Sequence, residues 1–234
     1  MIFKNLWYRK IRTMLTVLGI AVGVAAVVSL SAIGEGMASG METVFTSSDA
    51  DLMVAQKDAM MVLFSKVDDS ISADLERMPG VEEVTGTVTN IVQLTNVPYF
   101  IVNGEDPRGF TMAHYRIIAG GPVTRRKQIL IGKLAAETFE KKIGEAFRME
   151  GVTYRVAGIY ETGTNFEDGG AVISLSDAQR AFDQRNRVSY FNLRVEDKTR
   201  IDSIKAEIEE RWPQLAATRS GEQTRQTEML GMYR

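Results

Sequence analysis

Residues Met14 to Ile33, MLTVLGIAVGVAAVVSLSAI, decide how this chain is organised, because none of these twenty side chains carries a charge. At a rise of about 1.5 Å per residue, a helix of this length extends about 30 Å, which matches the hydrocarbon core of a bilayer. Basic residues precede the stretch and acidic residues follow it. Because lysine and arginine beside a span stay in the cytoplasm, the sequence predicts a transmembrane helix over 14–33 with the N-terminus inside and the remainder outside.

Two other interpretations of this stretch remain open. A cleaved signal peptide also begins with basic residues, and Ser29 or Ser31 could precede a cleavage site. The apolar part of a signal peptide is usually shorter, however, at about 7–15 residues. A buried helix of a soluble protein rarely continues this far without a charge. The length and the flanking charges therefore favour a retained membrane anchor.

The composition of the whole chain resembles that of ordinary globular proteins, since 25% of its 234 residues are charged and the net charge is −2. About 190 residues follow the span, which is enough for one or two domains with their own cores. The near-neutral charge gives no indication of nucleic-acid binding. The chain has no cysteine, which excludes disulfides and thiolate metal sites.

Helical patterns continue on both sides of the span. Residues 1–13 alternate an apolar stripe with basic residues, and they place Trp7 and Tyr8 at the headgroup level, which predicts a cytoplasmic interfacial helix. Apolar residues at helical spacing over 34–50 predict a stalk. Small residues allow membrane helices to approach closely. The candidate positions for packing against another helix are Gly19, Gly23, Gly34, Gly36 and Gly40.

Two strand–helix–strand patterns follow the stalk. The first has its three elements at 51–55, 71–78 and 84–95, and the second has them at 190–195, 199–212 and 215–218. The strand at 84–95 alternates between an apolar face and a polar face, which predicts a half-buried strand. Thr85, Thr87 and Thr89 fall on its polar face.

The residues between these two patterns, 97–188, are rich in strand signals. Strands are predicted at 128–132, 145–149 and 152–159. A capping box that begins at Ser176 predicts a short helix through Phe182. The expected fold class is therefore α+β, and its parts after the stalk are a βαβ subdomain (51–96 and 189–219), an inserted β-rich subdomain (97–188) and a C-terminal helix leading back to the membrane (220–234).

No arrangement of residues in the sequence indicates catalysis, a cofactor or a metal. His114 is the only histidine, so a histidine metal cluster is excluded and a structural or solvated role is favoured. The glycine-rich segment 34–40 follows a span rather than a strand, and Gly132-Lys133 is followed by Leu134 rather than by Ser or Thr. Neither segment fits a phosphate-binding loop. If ATP is involved, another subunit hydrolyses it.

The segment Ala59 to Phe64, AMMVLF, is unusually apolar for a connection between a strand and a helix. It is either a buried strand or an exposed loop that meets a substrate, a partner or the membrane. In the second case the contacting residues are Met60, Met61, Leu63 and Phe64.

The order of these elements resembles that of MacB/FtsX-type ABC transporter permeases. Near the N-terminus the resemblance rests on Asn5 to Thr13, Leu18 to Ala25, Gly34-x-Gly36 and Asp51 to Val54. In the external part it rests on Pro79-Gly80-Val81, Val102-Asn-Gly104-Glu-Asp-Pro107, Ile143-Gly144-Glu145 and Tyr154 to Gly158.

This resemblance implies a permease component in the cytoplasmic membrane, with a porter-like βαβ subdomain and an inserted β-rich subdomain outside the cytoplasm. Such permeases work as dimers or pairs with an ABC-type ATPase subunit, and the external domain relays ATP-driven motion for export or extraction of a substrate. Family members have four spans, so this sequence corresponds to a truncated product that holds the first span and the external domain. The substrate is left open.

Functions of a different class remain as alternatives. The chain could be a single-span, membrane-anchored binding or adaptor module without transport activity. A membrane-tethered hydrolase is disfavoured, because the sequence offers no convincing nucleophile–base pair.

Overall fold

The computed structural model describes residues 2–46, 49–59, 62–95 and 97–220, which form two units, 1–41 and 42–234. The helices are α1 (Ile2–Thr46), α2 (Ser72–Glu76), α3 (Lys133–Thr138), α4 (Asn165–Asp168), α5 (Leu175–Ala181) and α6 (Ile201–Arg211). The strands are β1 (Leu52–Gln56), β2 (Val67–Asp68), β3 (Val81–Leu94), β4 (Val97–Glu105), β5 (Arg116–Gly120), β6 (Gln128–Gly132), β7 (Ala146–Met149), β8 (Val152–Glu161), β9 (Ala171–Ser174), β10 (Arg187–Val188), β11 (Tyr190–Val195) and β12 (Leu215–Arg219).

The first unit consists of most of α1, a helix of 45 residues from Ile2 to Thr46. Helix geometry gives it a length of about 68 Å, more than twice the thickness of a bilayer's hydrocarbon core. The predicted interfacial helix and span, and most of the predicted stalk, are thus consecutive parts of one helix. Their separate roles stay predictions.

The second unit is built around a ten-stranded sheet with the order β12-β1-β11-β3-β4-β9-β6-β8-β5, in which β7 also pairs with β8. The β4–β9 and β6–β8 pairs are parallel, and the other pairs in this sheet are antiparallel. A separate two-stranded sheet joins β2 to β10. The predicted α+β fold class is therefore confirmed.

The first four strands of that order form a split βαβ arrangement. In chain order they are β1, β3, β11 and β12, with α2 after the first and α6 after the third, and their order in the sheet is 4-1-3-2. Helix α6 buries Ile201, Ile204 and Ile208, which recur at helical spacing, and α2 buries Leu75. These side chains join one hydrophobic core with the strands.

The remaining strands of the large sheet come from residues 97–188, and β3 connects them to the first four. Residues Val81 to Thr87 of β3 pair with β11, and Val88 to Leu94 pair with β4. One core extends beneath both halves and includes the mutually packed rings of Phe100, Phe139 and Phe147. The predicted subdomains correspond to consecutive strands of one sheet, and their separation stays a prediction.

Several predicted element boundaries differ from the structure. The capping residue before α5 is Ser174 rather than Ser176, because the Ser174 hydroxyl accepts the Asp177 N–H at 3.2 Å. Helix α2 is shorter than predicted, and a 3₁₀ turn at Asp69–Ile71 precedes it. The helix predicted over 220–234 lies outside the described residues apart from Ser220.

Candidate functional site

Helix α1 contains one segment that is long and apolar enough to cross a membrane, Arg12–Ala32. Its large apolar side chains are exposed, from 58% at Val24 to 75% at Met14. Apolar side chains exposed along a whole helix are typical of contact with lipid or with other helices. The predicted span over 14–33 overlaps this segment closely.

The glycines predicted to pack against another helix all lie in α1. A methyl group added to Gly19, Gly23 or Gly34 would meet no atom of the described residues within 4 Å apart from the adjacent residues and the nearby backbone of the helix itself. The side-chain surroundings of positions 36 and 40 lie outside the description. Close packing against a second helix at these glycines stays a prediction.

The apolar segment between β1 and β2 is not a buried strand where the structure describes it. Residues Val62–Phe64 form a 3₁₀ turn, Leu63 is half-buried and Phe64 is 60% exposed. Val62 packs against the buried cluster of Met53, Ala55 and Tyr190. Met60 and Met61 lie outside the described residues. Contact of this segment with a substrate or partner therefore stays a prediction.

Asp51 lies just before β1, the first strand in chain order, and it contacts the residue that follows β12, the last strand. Its own N–H donates to the carbonyl of Leu193 at 2.8 Å, and its carboxylate accepts the Val195 N–H at 3.0 Å. Lys198 Nζ lies 3.1 Å from the same carboxylate. The N–H of Ser220 donates to the Asp51 carbonyl at 3.1 Å. The segment that follows α1 and the segment that follows β12 therefore meet at one residue.

A buried polar network lies where the C-terminal end of β4 meets the middle of β3. This network was not predicted from the sequence. Glu105, at the end of β4, is 3% exposed. Its carboxylate accepts hydrogen bonds from the Thr87 hydroxyl at 3.1 Å and from the Thr111 hydroxyl at 2.8 Å. Thr111 belongs to residues 106–115, which we call the cover segment and which contains the 3₁₀ turn Phe110–His114.

Two further contacts hold the cover segment in place. The His114 Nε2 atom lies 2.9 Å from both carboxylate oxygens of Glu167, at the end of α4. The Tyr115 hydroxyl accepts a hydrogen bond from Asn103 Nδ2 at 3.0 Å. The histidine is therefore partly buried and structural, which is one of the two roles favoured from the sequence.

Burial dominates the electrostatics of this network. Removal from water raises the pKa of Glu105 to about 7, although hydrogen bonds from Thr111 and Thr87 and the nearby His114 oppose the rise. Burial also raises the pKa of Tyr115 and Tyr160 well above the usual tyrosine value. The Glu105 carboxyl can therefore change its charge near neutral pH.

The threonines of β3 correct the prediction of a polar, solvent-facing side. Thr85, Thr87 and Thr89 are all buried, at 4%, 0% and 4% exposure. Asn192 of β11 donates to the Thr87 hydroxyl, and Asn103 of β4 accepts from Thr89. The face is covered by the cover segment, so its polar residues pair with each other instead of with water.

The described residues contain no group of three His, Cys, Asp or Glu side chains placed to hold a metal ion. What the geometry provides is an apolar helix of membrane-spanning length and an α+β domain with a titratable buried carboxyl. These features are those of a membrane-attached domain, and the comparisons with known proteins identify its family.

The chain belongs to the family of MacB-like periplasmic core domains, whose model matches residues 13–211. It is therefore a membrane protein with an extracytoplasmic domain. Two curated relatives are named macrolide export ATP-binding/permease protein MacB. The protein from Bdellovibrio bacteriovorus is 24% identical over 89% of this chain and 36% of its own length. The protein from Rhodospirillum rubrum is 29% identical over 85% of this chain and 34% of its own length.

Two solved structures share the fold. The periplasmic region of MacB from Actinobacillus actinomycetemcomitans has a TM-score of 0.59 at 12% identity and covers 78% of this chain and 94% of its own. The extracellular domain of the transporter YknZ from Gram-positive bacteria has a TM-score of 0.55 at 14% identity and covers 72% of this chain and 98% of its own. The chain spans about a third of the length of the curated relatives it matches.

Proposed function

We propose that this chain supplies the first membrane span and the external domain of a permease in an ABC transporter of the MacB/FtsX type. Its external domain relays ATP-driven motion for export or extraction of a substrate. Family membership and the names of the relatives, which combine ATP binding with a permease, support this assignment. They favour it over a membrane-anchored adaptor without transport activity.

The observation that carries the relay is the continuity of α1. The helix extends from Ile2 through the candidate span to Thr46, and strand β1 in the interior of the large sheet begins at Leu52. A continuous helix transmits a displacement along its axis, whereas a flexible segment absorbs it. The glycines at 34, 36 and 40 weaken such a helix by roughly 1 kcal/mol each relative to alanine. We infer that a neighbouring helix packs against them and offsets this cost.

The proposed partners follow from the same assignment. Hydrolysis of ATP belongs to an ABC-type ATPase, because this sequence offers no phosphate-binding loop, and the permease works as a homodimer or a pair. We place residues 1–13 in the cytoplasm, since Lys4, Arg9, Lys10 and Arg12 precede the span without an acidic residue. The lipid bilayer surrounds the exposed apolar side chains of α1.

The relay is tested by interrupting the helix in the complete transporter. One variant receives a flexible Gly-Ser insertion after Ile33, and a matched control receives an alanine insertion of equal length that preserves the helix. Spin labels at Ala206→Cys, an exposed position on α6 in a chain without native cysteine, report the distance between two copies with and without ATP.

We expect ATP to change the distance between the labels in the wild type and in the alanine control. The Gly-Ser variant should lose this change while it retains ATPase activity and a folded external domain. An undiminished ATP-dependent change in the Gly-Ser variant would reject the relay. The macrolide export named for the relatives is the first transport activity to assay in the same three proteins.

A further inference from the structure

The cover segment is attached to β4 and to α4 partly through groups that can change charge. Thr111 donates to Glu105, and His114 contacts Glu167. Phe110 and Tyr115 are buried at 7% exposure, and the Arg194 guanidinium lies 4.4 Å from the centre of the Phe110 ring. The segment therefore seals Glu105 from water with a small apolar contact and a few polar ones.

The hydrogen bonds recorded for the Glu105 carboxyl come from hydroxyl groups, which carry no charge. A neutral carboxylic acid can keep such partners, because a hydroxyl both donates and accepts, so one of the two hydroxyls can turn to accept the acid proton. An ionised carboxylate in the same place lacks the water that would stabilise its charge. Displacement of the cover segment is the simplest way to readmit water, since Thr111 and Phe110 lie in that segment.

The charged and titratable groups around Glu105 come from several elements. They are Asp106, His114 and Tyr115 from the cover segment, Tyr190 from β11 and, farther away, Glu167 from α4. Asp106 favours the neutral acid, and His114 favours the carboxylate. Burial outweighs both, so the neutral acid is stabilised in the closed arrangement.

We propose that the cover segment is a pH-responsive latch on the external domain, closed over protonated Glu105 and loosened when this carboxyl ionises. Raising the pH weakens the latch, because the closed form must bind a proton that the open form releases. In an open, solvated form Glu105 titrates near the ordinary glutamate value of about 4.3. The closed form holds its proton up to a pH of about 7. Between these values, opening is coupled to the release of one proton.

Hydrogen–deuterium exchange on the full chain in lipid nanodiscs, between pH 5 and 8.5, tests the latch. After correction for the intrinsic exchange rates, the opening equilibrium of residues 108–115 should rise about tenfold per pH unit up to about pH 7 and then level off. Strand β9 is the internal reference, because it lies in the centre of the sheet with all four residues buried. The cover segment should be less protected than β9 at every pH.

Two variants separate Glu105 from its neighbour. Glu105→Gln cannot ionise, so the slope with pH should disappear and the segment should stay protected. Asp106→Asn removes an adjacent carboxyl that is not sealed beneath the segment, and it should retain the slope. A pH-independent opening in the wild type, or an unchanged slope in Glu105→Gln, overturns the proposal.

If Glu105→Gln does not fold, hydrogen–deuterium exchange of the wild type is sufficient to test the latch. Equal protection of residues 108–115 and of β9 at every pH would mean that the segment opens only when the whole domain unfolds. That result also overturns the latch. Lower protection of the cover segment, with the tenfold slope, supports it.

Discussion

At the scale of single residues, the Asp51 side chain accepts a hydrogen bond that a backbone carbonyl of a neighbouring strand normally accepts. Leu52 is the first β1 residue paired with β11, so the N–H of Val195 lies beyond the last strand partner on that side. The Asp51 carboxylate accepts this N–H, and Asp51 is itself only 8% exposed. A side chain thus satisfies the buried donor at the place where the chain leaves the sheet.

Variants of Asp51 and Lys198 should therefore separate the contributions of the hydrogen bond and of the ion pair to the free energy of unfolding. Asp51→Ala leaves the Val195 N–H without a partner and should lower the free energy of unfolding by about 1–3 kcal/mol. Asp51→Asn retains an acceptor and should cost less. Lys198→Met removes an ion pair whose lysine is 80% exposed, so it should cost no more than about 1 kcal/mol. Urea unfolding of the external domain measures all three, and equal losses for the alanine and asparagine variants would contradict this account.

Glu105 has a pH effect on global stability whose sign is opposite to that of most carboxyl groups. Its folded pKa of about 7 lies above the unfolded value, so its contribution is complete below about pH 4.5 and is lost as the pH rises to about 7. We expect this loss to be at most about 3 kcal/mol, because opening of the cover segment would hydrate Glu105 without unfolding the domain.

Glu105→Gln should therefore gain stability relative to the wild type as the pH rises from 4.5 to 7.5, measured by urea unfolding at each pH. Glu161→Gln is the control, because Lys133 lowers the pKa of Glu161 and no relative gain with rising pH is expected there. A constant difference between Glu105→Gln and the wild type would show that Glu105 titrates normally.

At the scale of elements, short apolar runs predicted some strands and missed others. The predicted strands at 128–132 and 190–195 coincide with β6 and β11, which are bounded by clear turn residues or polar loops. Strands β4, β5 and β9 lacked a specific prediction. The burial pattern of β9 is continuous, as it nearly is in β6, so alternation identifies neither strand. A run of only four residues in β9 gave too short a signal for a specific prediction.

At the start of α5, the capping motif in the sequence placed the N-cap two residues too late. Both Ser174 and Ser176 precede an acidic or amide residue at capping spacing, and only the backbone geometry distinguishes them. Ser174 has an extended conformation, with φ −65° and ψ 143°, whereas Ser176 lies inside the helix. An N-cap must be extended, so only Ser174 can serve.

Ser174→Ala should consequently lower the free energy of unfolding by about 1 kcal/mol. Ser176→Ala, at an exposed position two residues later, should change it by less than about 0.5 kcal/mol. Thermal or urea unfolding of the two variants gives the comparison. Equal effects would place the cap elsewhere.

At the scale of the whole molecule, the fold class and the long apolar helix were predictable, and the buried network was not. A charge-free stretch of twenty residues and the helical spacing of isoleucines are local signals. The network instead joins residues that are distant in sequence, such as Thr87 with Asn192 and His114 with Glu167. Alternation along one strand identifies a polar face but does not show whether another segment covers it.

The orientation of the chain in the membrane is a prediction that belongs to this scale. Single cysteines at Lys10 and at Ala206, both exposed, can be introduced into a sequence that has none. An impermeant thiol reagent on intact cells should label Ala206→Cys and spare Lys10→Cys until the cells are opened. The reverse pattern would contradict the orientation inferred from the flanking charges.

The hydrogen bond between the Ser220 N–H and the Asp51 carbonyl has a consequence for how such proteins diversify. When the two ends of a domain lie next to each other, the domain can be exchanged for another of different size, because the distance between its points of attachment does not change. Structures with 12% and 14% identity to this chain retain the same fold. Grafting another such domain between Ala50 and Ser220 would therefore exchange surface chemistry without changing the distance between the two points of attachment.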